Sequence, residues 1–149
     1  MNDEMIKEII FSSTHPDSNV RCFSNFYPCE IIDGGIKFNH VEGAFQAAKV
    51  KNEKDKLNFV NVTPQTAKKM GGAKGKYRMD QNSLERWING ERIEVMRRLL
   101  YEKFKDPFLR QVLLNTNEAR LVERLPRFPD AFWGTKKDGS GEIGRASCR

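Results

Sequence analysis

Short apolar runs precede the first helical pattern in this chain. Residues 5–11, "MIKEIIF", and residues 30–39, "EIIDGGIKFN", are rich in β-branched and aromatic residues, which favours strands. The second run predicts a hairpin that turns on Asp33-Gly34-Gly35, because glycine adopts the positive φ angles of tight hairpin turns. The amino-terminal part of the chain therefore predicts a small antiparallel sheet.

Helical signals begin at residue 39. Asn39 and Glu42, three residues apart, match a capping box and predict a helix that runs to about Lys54. Thr63-Pro64 predicts the start of a second, short helix, since proline suits the first helical turn. Gly71-Gly72 would end that helix, because glycine is the preferred residue beyond a helix carboxyl end.

Later helices are predicted from regular apolar positions. Ser83 is expected to cap a turn that contains Trp87. Residues 91–105 predict a core helix from the helical spacing of Ile93, Met96, Leu99, Leu100 and Phe104. Asp106-Pro107 predicts another helix, with a buried face formed by Phe108, Leu109, Val112 and Leu113. A few strands followed mainly by helices predict an α+β fold in a single compact, helix-rich domain.

Composition narrows the class of protein. A chain of 149 residues suits one domain with a real core. The net charge of +6 favours anionic partners, such as phosphorylated metabolites or nucleic acid. The few cysteines and histidines show no metal-ligand spacing; they are Cys22, Cys29, Cys148, His15 and His40. We therefore expect no metal, and a cytoplasmic protein without a signal peptide or membrane span.

Residues 41–49, "VEGAFQAAK", predict a helix with two distinct sides. One side is polar and aromatic, and consists of Glu42, Phe45, Gln46 and Lys49. The other side is small, and consists of Ala44, Ala47 and Ala48, which suits close packing. A carboxylate beside an aromatic ring and an ammonium group could stabilise a cationic sugar or activate water, with Lys49 available for a phosphate. A capping acid and a solvated lysine explain the same residues equally well.

Two further segments combine aromatic and polar groups. In "FSNFYP", residues 23–28, Ser24 and Asn25 lie beside Phe26, and this combination suits a heterocycle with a ribose. In "PDAFWG", residues 129–134, Asp130 and Trp133 lie on a predicted loop, where catalytic groups concentrate. Buried turn aromatics and a tryptophan that seals the core are the structural alternatives.

A basic cluster spans the end of the second predicted helix and the loop after it. It consists of Lys68, Lys69, Lys74, Lys76 and Arg78. These side chains could face phosphates, although a solvated loop is the usual role of such a cluster. The cluster therefore leaves the nature of the anionic partner open.

Taken in order, these motifs resemble the YbiA-like, or NADAR, family of N-glycosidases. The resemblance covers residues 11–141 through "FSNFYP", the hairpin, "VEGAFQAAK", "AKKMGG", "VMRRLLYEKF", "LLNTNEARLVE" and "DAFWG". It implies an α+β domain that hydrolyses N-glycosidic bonds without a metal or another cofactor. The family's substrates include phosphorylated ribosylamines of riboflavin biosynthesis, and other members are linked to NAD and to ADP-ribose on guanine in DNA.

The resemblance also implies site residues. The family's active-site residues fall on Glu42, Trp87 and Asp130, and its late tryptophan falls on Trp133. From the resemblance and the motifs together, we predict that substrate is contacted by Ser24, Asn25, Phe26, Lys49, Trp133 and Gly134. Glu42 is expected to stabilise the sugar cation or activate water, and Asp130 to orient substrate or water.

The chain departs from the family pattern at two places. His40 and Gly43 flank the Val41-Glu42 pair, where family members usually carry serine before it and histidine or asparagine after it. The ending "GSGEIGRASCR" lacks the family's final helix. We therefore predict a domain over residues 1–141 and an atypical tail over residues 142–149.

Three functions follow. The first is hydrolysis of small phosphorylated ribosylamine or nucleotide-like substrates. The second is removal of ADP-ribose from modified guanine in DNA, which would add nucleic acid as a partner. The third is non-catalytic binding of ADP-ribose or an NAD-related nucleotide. The first two differ in substrate, whereas the third assigns Glu42 a structural role only.

Overall fold

The computed structural model describes residues 7–124. In chain order the strands are β1 (Glu8–Phe11), β2 (Ile31–Asp33), β3 (Ile36–Phe38) and β4 (Arg120–Glu123). The α-helices are α1 (Ser18–Arg21), α2 (Val41–Ala47), α3 (Glu53–Lys56), α4 (Pro64–Gly71), α5 (Gln81–Arg86), α6 (Arg92–Lys103) and α7 (Pro107–Asn115). The described chain forms two units, residues 7–24 with 107–124 and residues 25–106. Its strands and helices form the predicted α+β class.

The first unit contains a parallel pair of strands. β1 pairs with β4, with Glu8 opposite Arg120 and Phe11 opposite Glu123. The strand predicted over residues 5–11 is confirmed within its described part. It does not join the predicted antiparallel sheet, because it pairs in parallel with β4, which the sequence pattern did not indicate. Phe11 is buried and packs edge to face on Phe23, with ring centroids 6.0 Å apart. These aromatic contacts anchor the inner side of β1.

Helix α7 begins at Pro107, as predicted. Its predicted buried face is only partly correct. Leu109 is buried, whereas the Phe108 side chain is 61% exposed, and Val112 and Leu113 are half-buried. Phe108 and Leu109 are neighbours, and successive helical residues point about 100° apart, so one can be buried while the other faces solvent.

The second unit opens with the predicted hairpin. β2 and β3 pair in antiparallel register, with Ile31 opposite Phe38, and both side chains are buried. Gly34 and Gly35 have φ angles of 57° and 80°, as the mirror-image turns of two-residue hairpins require. The prediction of a turn on Asp33-Gly34-Gly35 is therefore confirmed.

Helix α4 also follows its sequence signals. The Thr63 hydroxyl accepts a hydrogen bond from the Thr66 backbone N–H at 3.1 Å, and Pro64 is the first helical residue. The helix ends at Gly71, and Gly72 is its carboxyl-terminal cap. Both predicted ends are confirmed. α4 packs against α2, which in turn packs against α6.

The prediction for α2 is wrong at both ends. His40, not Asn39, is its amino-terminal cap, and the helix ends at Ala47 instead of Lys54. Asn52 adopts an extended conformation, and its side chain accepts a hydrogen bond from the Lys54 backbone N–H. Asparagine competes with helical hydrogen bonding in this way. It therefore starts α3 instead of continuing α2.

The elements around Trp87 also differ from expectation. Asp80, not Ser83, caps α5, and its carboxylate accepts a hydrogen bond from the Ser83 N–H at 2.8 Å. Trp87 follows α5 directly, and a kinked turn over Trp87–Glu91 leads into α6. Gly90 interrupts the helical backbone with a φ of 155°. Gly90 therefore marks a kink between α5 and α6.

Helix α6 is the core helix that its apolar spacing predicted, although it spans Arg92–Lys103 instead of residues 91–105. Of the predicted positions, Met96, Leu99 and Leu100 are buried, and Ile93 and Phe104 are half-buried. Burial of this stripe against α2 and the hairpin holds the site described below.

Candidate active site

The first turn of α2 is held by the imidazole of His40. Its Nδ1 accepts a hydrogen bond from the Gly43 backbone N–H at 2.8 Å, and its Nε2 lies 2.8 Å from the Val62 carbonyl oxygen. A carbonyl only accepts, so Nε2 carries the proton and donates it. His40 is 5% exposed. The imidazole therefore ties the start of α2 to the chain before α4.

Gly43 provides the space that this cap requires. A Cβ atom at position 43 would lie 2.9 Å from His40 Cε1 and 3.1 Å from the Phe59 carbonyl oxygen. Such contacts are closer than packed atoms tolerate. The two departures from the family pattern, His40 and Gly43, are thus parts of one local arrangement.

Glu42 presents a carboxylate from this fixed turn. The residue is only 8% exposed, and its backbone N–H donates to the Asn25 carbonyl oxygen at 3.1 Å. Its Oε1 accepts a hydrogen bond from Gln46 Nε2 at 2.8 Å. A buried carboxylate needs such donors, because burial without them is strongly unfavourable. The structure therefore holds a carboxylate in a defined position with limited access to water.

Phe45, Lys49 and Trp87 form a cation–aromatic cluster one turn further along α2. The Phe45 and Trp87 ring centroids are 5.0 Å apart, with the planes inclined by 52°. The Lys49 Nζ lies 5.6 Å from each centroid and donates to the Gly71 carbonyl oxygen at 3.3 Å. Both rings are 5% exposed. The ammonium group is thus held above the rings by electrostatic attraction.

The polar and small sides of α2 are both buried. Ala44 and Ala47 are nearly inaccessible, as the small side predicted, and every residue of Val41–Ala47 is buried. Glu42, Phe45 and Gln46 therefore do not form a solvent face. Since residues three and four apart are neighbours on a helix, the structure brings Glu42 to the face that carries Phe45 and, through it, to Trp87.

Asn25 adds a buried acceptor next to the start of α2. Its side chain is 7% exposed, and Oδ1 accepts no hydrogen bond from the described residues. Buried polar atoms of proteins are nearly always paired with protein, water or ligand. Asn25 Oδ1 is therefore suited to receive a donor from a ligand. Ser24 is buried and Phe26 is half-buried.

Three predicted site residues, Asp130, Trp133 and Gly134, lie outside the described residues. Their roles stay predictions, as does the boundary at residue 141. Within residues 7–124, no three His, Cys, Asp or Glu side chains converge as metal ligands would. No helix in that range is long and apolar enough to cross a membrane.

The basic cluster is exposed at every position: Lys68, Lys69, Lys74, Lys76 and Arg78. Within the part of the chain that the structure describes, none of these side chains forms a salt bridge. Lys76 Nζ lies 5.4 Å from the Tyr77 ring centroid. The cluster therefore remains accessible to an anionic partner.

The sequence analysis gave Gln46 no role of its own and made Gly71 only a helix end, although Gln46 contacts Glu42 and Gly71 contacts Gln46 and Lys49. The spacing of four residues between Glu42 and Gln46 was a usable signal, because an amide and a carboxylate at that spacing can hydrogen-bond on a helix. No spacing in the sequence indicated that Gly71 contacts Gln46. Its sequence position indicated a helix end, whereas the structure adds a close contact with Gln46.

Comparison with known proteins identifies the family and the fold. The family model described as the NADAR domain matches residues 10–147. N-glycosidase Npun_R5314 of Nostoc punctiforme is 32% identical over 131 residues, which cover 83% of this chain and 79% of that protein. The NMR structure of E. coli YbiA matches with a TM-score of 0.73 and 28% identity, over 96% of this chain and 83% of YbiA. The predicted α+β fold and family are thereby confirmed, and the chain belongs to the NADAR domain family.

Proposed function

We propose that this chain, an N-glycosidase by its family and its curated relative, acts without a metal on phosphorylated ribosylamines or similar nucleotide-like compounds. Intermediates of riboflavin biosynthesis are the substrates we favour. The observation that carries the proposal is the Glu42 carboxylate, 8% exposed and hydrogen-bonded by Gln46 at 2.8 Å on a capped helix. Phe45, three residues further along that helix, packs on Trp87, and Lys49 follows just beyond the helix end.

The chemistry requires a fixed negative charge. When the bond between C1 of the sugar and nitrogen breaks, its electron pair leaves with nitrogen and positive charge develops on the sugar. Glu42 would stabilise that charge and accept a proton from water, whose oxygen forms the new bond to C1. The proton that Glu42 receives passes to the departing nitrogen, directly or through solvent, so the products are a free amine or base and ribose phosphate.

The other residues would bind and orient the substrate. Trp87 would form a wall against the base, and Lys49 would attract the phosphate. Asn25 Oδ1 would accept a hydrogen bond from a sugar hydroxyl or an amino group. Ser24 and Phe26 would contribute further contacts. Asp130 would orient substrate or water, and Trp133 with Gly134 would complete the wall, as the family resemblance implies.

The expected effect of removing the charge is large. A carboxylate about 4 Å from a developing unit charge, at an effective dielectric constant of about 20, contributes about 4 kcal/mol. That energy corresponds to roughly a thousandfold in rate. We therefore expect Glu42→Gln to lower kcat by about three orders of magnitude. Glu53→Gln is the matched control, because the Glu53 side chain is 74% exposed.

The test follows base and sugar release by chromatography. The panel contains the riboflavin-pathway ribosylamine phosphates, NAD, ADP-ribose, and DNA with ADP-ribosylated guanine. Release by the wild type and by Glu53→Gln, with loss in Glu42→Gln, would support the proposal and identify the substrate class. Equal release by Glu42→Gln would refute the role of Glu42. Tight ADP-ribose binding without any release would instead support a non-catalytic binder.

ADP-ribosylated DNA is the second candidate substrate, because the basic cluster is exposed and the net charge is +6. Contacts between lysines and DNA phosphates release counterions, so affinity would fall steeply as salt rises. A small phosphorylated substrate would show a much weaker salt dependence. Measuring the affinity for modified DNA at two salt concentrations therefore separates the two candidates.

A further inference from the structure

We propose that Gln46 is a positioning residue for the Glu42 carboxylate, and that Gly71 forms the space in which the Gln46 amide is held. The inference rests on the proposed function, because it concerns how the acid of that reaction is oriented. It adds Gln46 of α2 and Gly71 of α4 to the site. Neither residue has an assigned role in the sequence motifs.

The orientation of the Gln46 amide is determined by its partner. Nε2 donates to Glu42 Oε1 at 2.8 Å, and Gln46 is 5% exposed. Reversing the amide would place its oxygen against the carboxylate oxygen, and two acceptors repel each other. The amide therefore keeps its donor on Glu42, although its own Oε1 is buried and accepts no hydrogen bond from the described residues. An unpaired buried acceptor is unfavourable. The arrangement therefore supplies a donor to the Glu42 carboxylate at the expense of the Gln46 carbonyl oxygen.

Gly71 explains why the amide stays in place. A Cβ atom at position 71 would collide with Gln46 Oε1 and would lie 3.0 Å from Gln46 Cδ and 3.1 Å from its Cβ. Gly71 does not have a positive φ angle, so it serves here through its small size. The Gly71 carbonyl oxygen also accepts the hydrogen bond from Lys49 Nζ. The last turn of α4 therefore holds two side chains of the α2 polar side.

This geometry predicts a defined kinetic effect. Without the Gln46 donor, the Glu42 carboxylate keeps its charge but loses the hydrogen bond by which Gln46 orients it. Catalysis depends on that direction in the transition state more than substrate binding does. We therefore expect Gln46→Met to lower kcat by about 10-fold to 100-fold, the range for hydrogen-bond partners of functional groups. KM should change less than about threefold, since an interaction that acts only in the transition state leaves ground-state binding unaltered.

A double-mutant cycle tests the role of Gly71. Gly71→Ala should lower kcat because its methyl group displaces the Gln46 amide. Combining Gly71→Ala with Gln46→Gly should cost no more than Gln46→Gly alone, because removing the whole side chain leaves room for the methyl group. Additive losses in the double variant would overturn the proposed link, since additivity indicates independent sites.

The matched control is Gln81→Met. Gln81 Nε2 donates to Glu85 Oε1 at 3.3 Å, again across four residues, but on an exposed helix surface. This variant should retain wild-type kcat. If Gln46→Met fails to fold in a urea melt, Gln46→Leu provides the comparison, because it also removes the donor and cannot share a proton with Glu42. A wild-type kcat in either folded Gln46 variant would refute the positioning role.

A second measurement separates this inference from the proposed function. In the wild type, the side-chain NH₂ protons of Gln46 should exchange slowly with solvent by NMR, and Glu42→Ala should accelerate the exchange. Fast exchange in the wild type would refute the hydrogen bond itself, whatever the substrate. Slow exchange together with an inactive protein on every substrate of the panel would refute the proposed function and leave the structural arrangement intact.

Discussion

Replacing His40 with alanine removes both hydrogen bonds that its imidazole makes at the start of α2. Gly43 N–H loses its acceptor, and the Val62 carbonyl loses its donor. The change also tests the position of the cap, because the sequence pattern placed the cap at Asn39. In the structure, the Asn39 side chain instead donates from Nδ2 to the Val60 carbonyl at 3.0 Å, in an exposed position.

The magnitude follows from the two bonds. Loss of an amino-terminal cap costs about 1 kcal/mol, and loss of a protein hydrogen bond costs about 1 kcal/mol more. Removal of packed imidazole atoms from a site that is 5% exposed brings the total to about 2–3 kcal/mol. For a protein of this size, each kcal/mol lowers Tm by about 2–4 °C, so we expect a decrease of about 4–12 °C.

Urea denaturation followed by circular dichroism measures the effect. With a slope of about 2 kcal/mol per molar urea, the midpoint of His40→Ala should fall by about 1 M or slightly more. Asn39→Ala should fall by less than half as much. His40→Asn should recover part of the loss, since asparagine is a good capping residue. A larger loss in Asn39→Ala than in His40→Ala would refute the assignment of the cap.

Two further predictions concern other parts of the second unit. The pKa of Asp80 lies at about 2, below its ordinary 3.8, mainly because the Ser83 backbone N–H donates to the carboxylate and also because the Lys51 side chain does. The stabilisation that the charged Asp80 carboxylate contributes is therefore complete above about pH 5 and is lost as pH falls towards 2. The urea midpoints of wild type and Asp80→Asn should differ above about pH 5 and converge at about pH 2. A difference between the two midpoints that does not change with pH would contradict this prediction. Gly35 has a φ of 80° and no atom within 4 Å of a Cβ position, so Gly35→Ala should cost about 1 kcal/mol from backbone strain alone. An unchanged urea midpoint for Gly35→Ala would contradict the turn geometry.

Local chemistry in the sequence determined the hairpin and α4. Gly34-Gly35 supplies the positive φ angles of the turn, and Thr63-Pro64 with Gly71-Gly72 marks the two ends of α4. These signals act within a few residues and need no partner from elsewhere in the chain. The apolar spacing of α6 was similarly sufficient to identify its buried stripe.

Tertiary contacts decided the cap of α2, the presence of β4 and the exposure of Phe108. Asn39 and His40 can both cap α2, and the imidazole prevails because it also reaches the Val62 carbonyl. β4 was not indicated because it pairs with β1, from the opposite end of the described chain. A parallel pair of this kind leaves no turn signal between its strands. Phe108 is exposed although its apolar side chain predicted burial.

The candidate site also combines features that the sequence indicated with one that only the tertiary structure produced. The motif and the family resemblance indicated Glu42, Lys49 and Trp87, because residue type and order carry that information. The sequence also placed Gln46 four residues after Glu42, within reach of its carboxylate. Only the packing of α4 on α2 brought Gly71 against the Gln46 amide. A glycine required for its small size is indistinguishable in sequence from one that ends a helix, because the contact that requires it comes from another element.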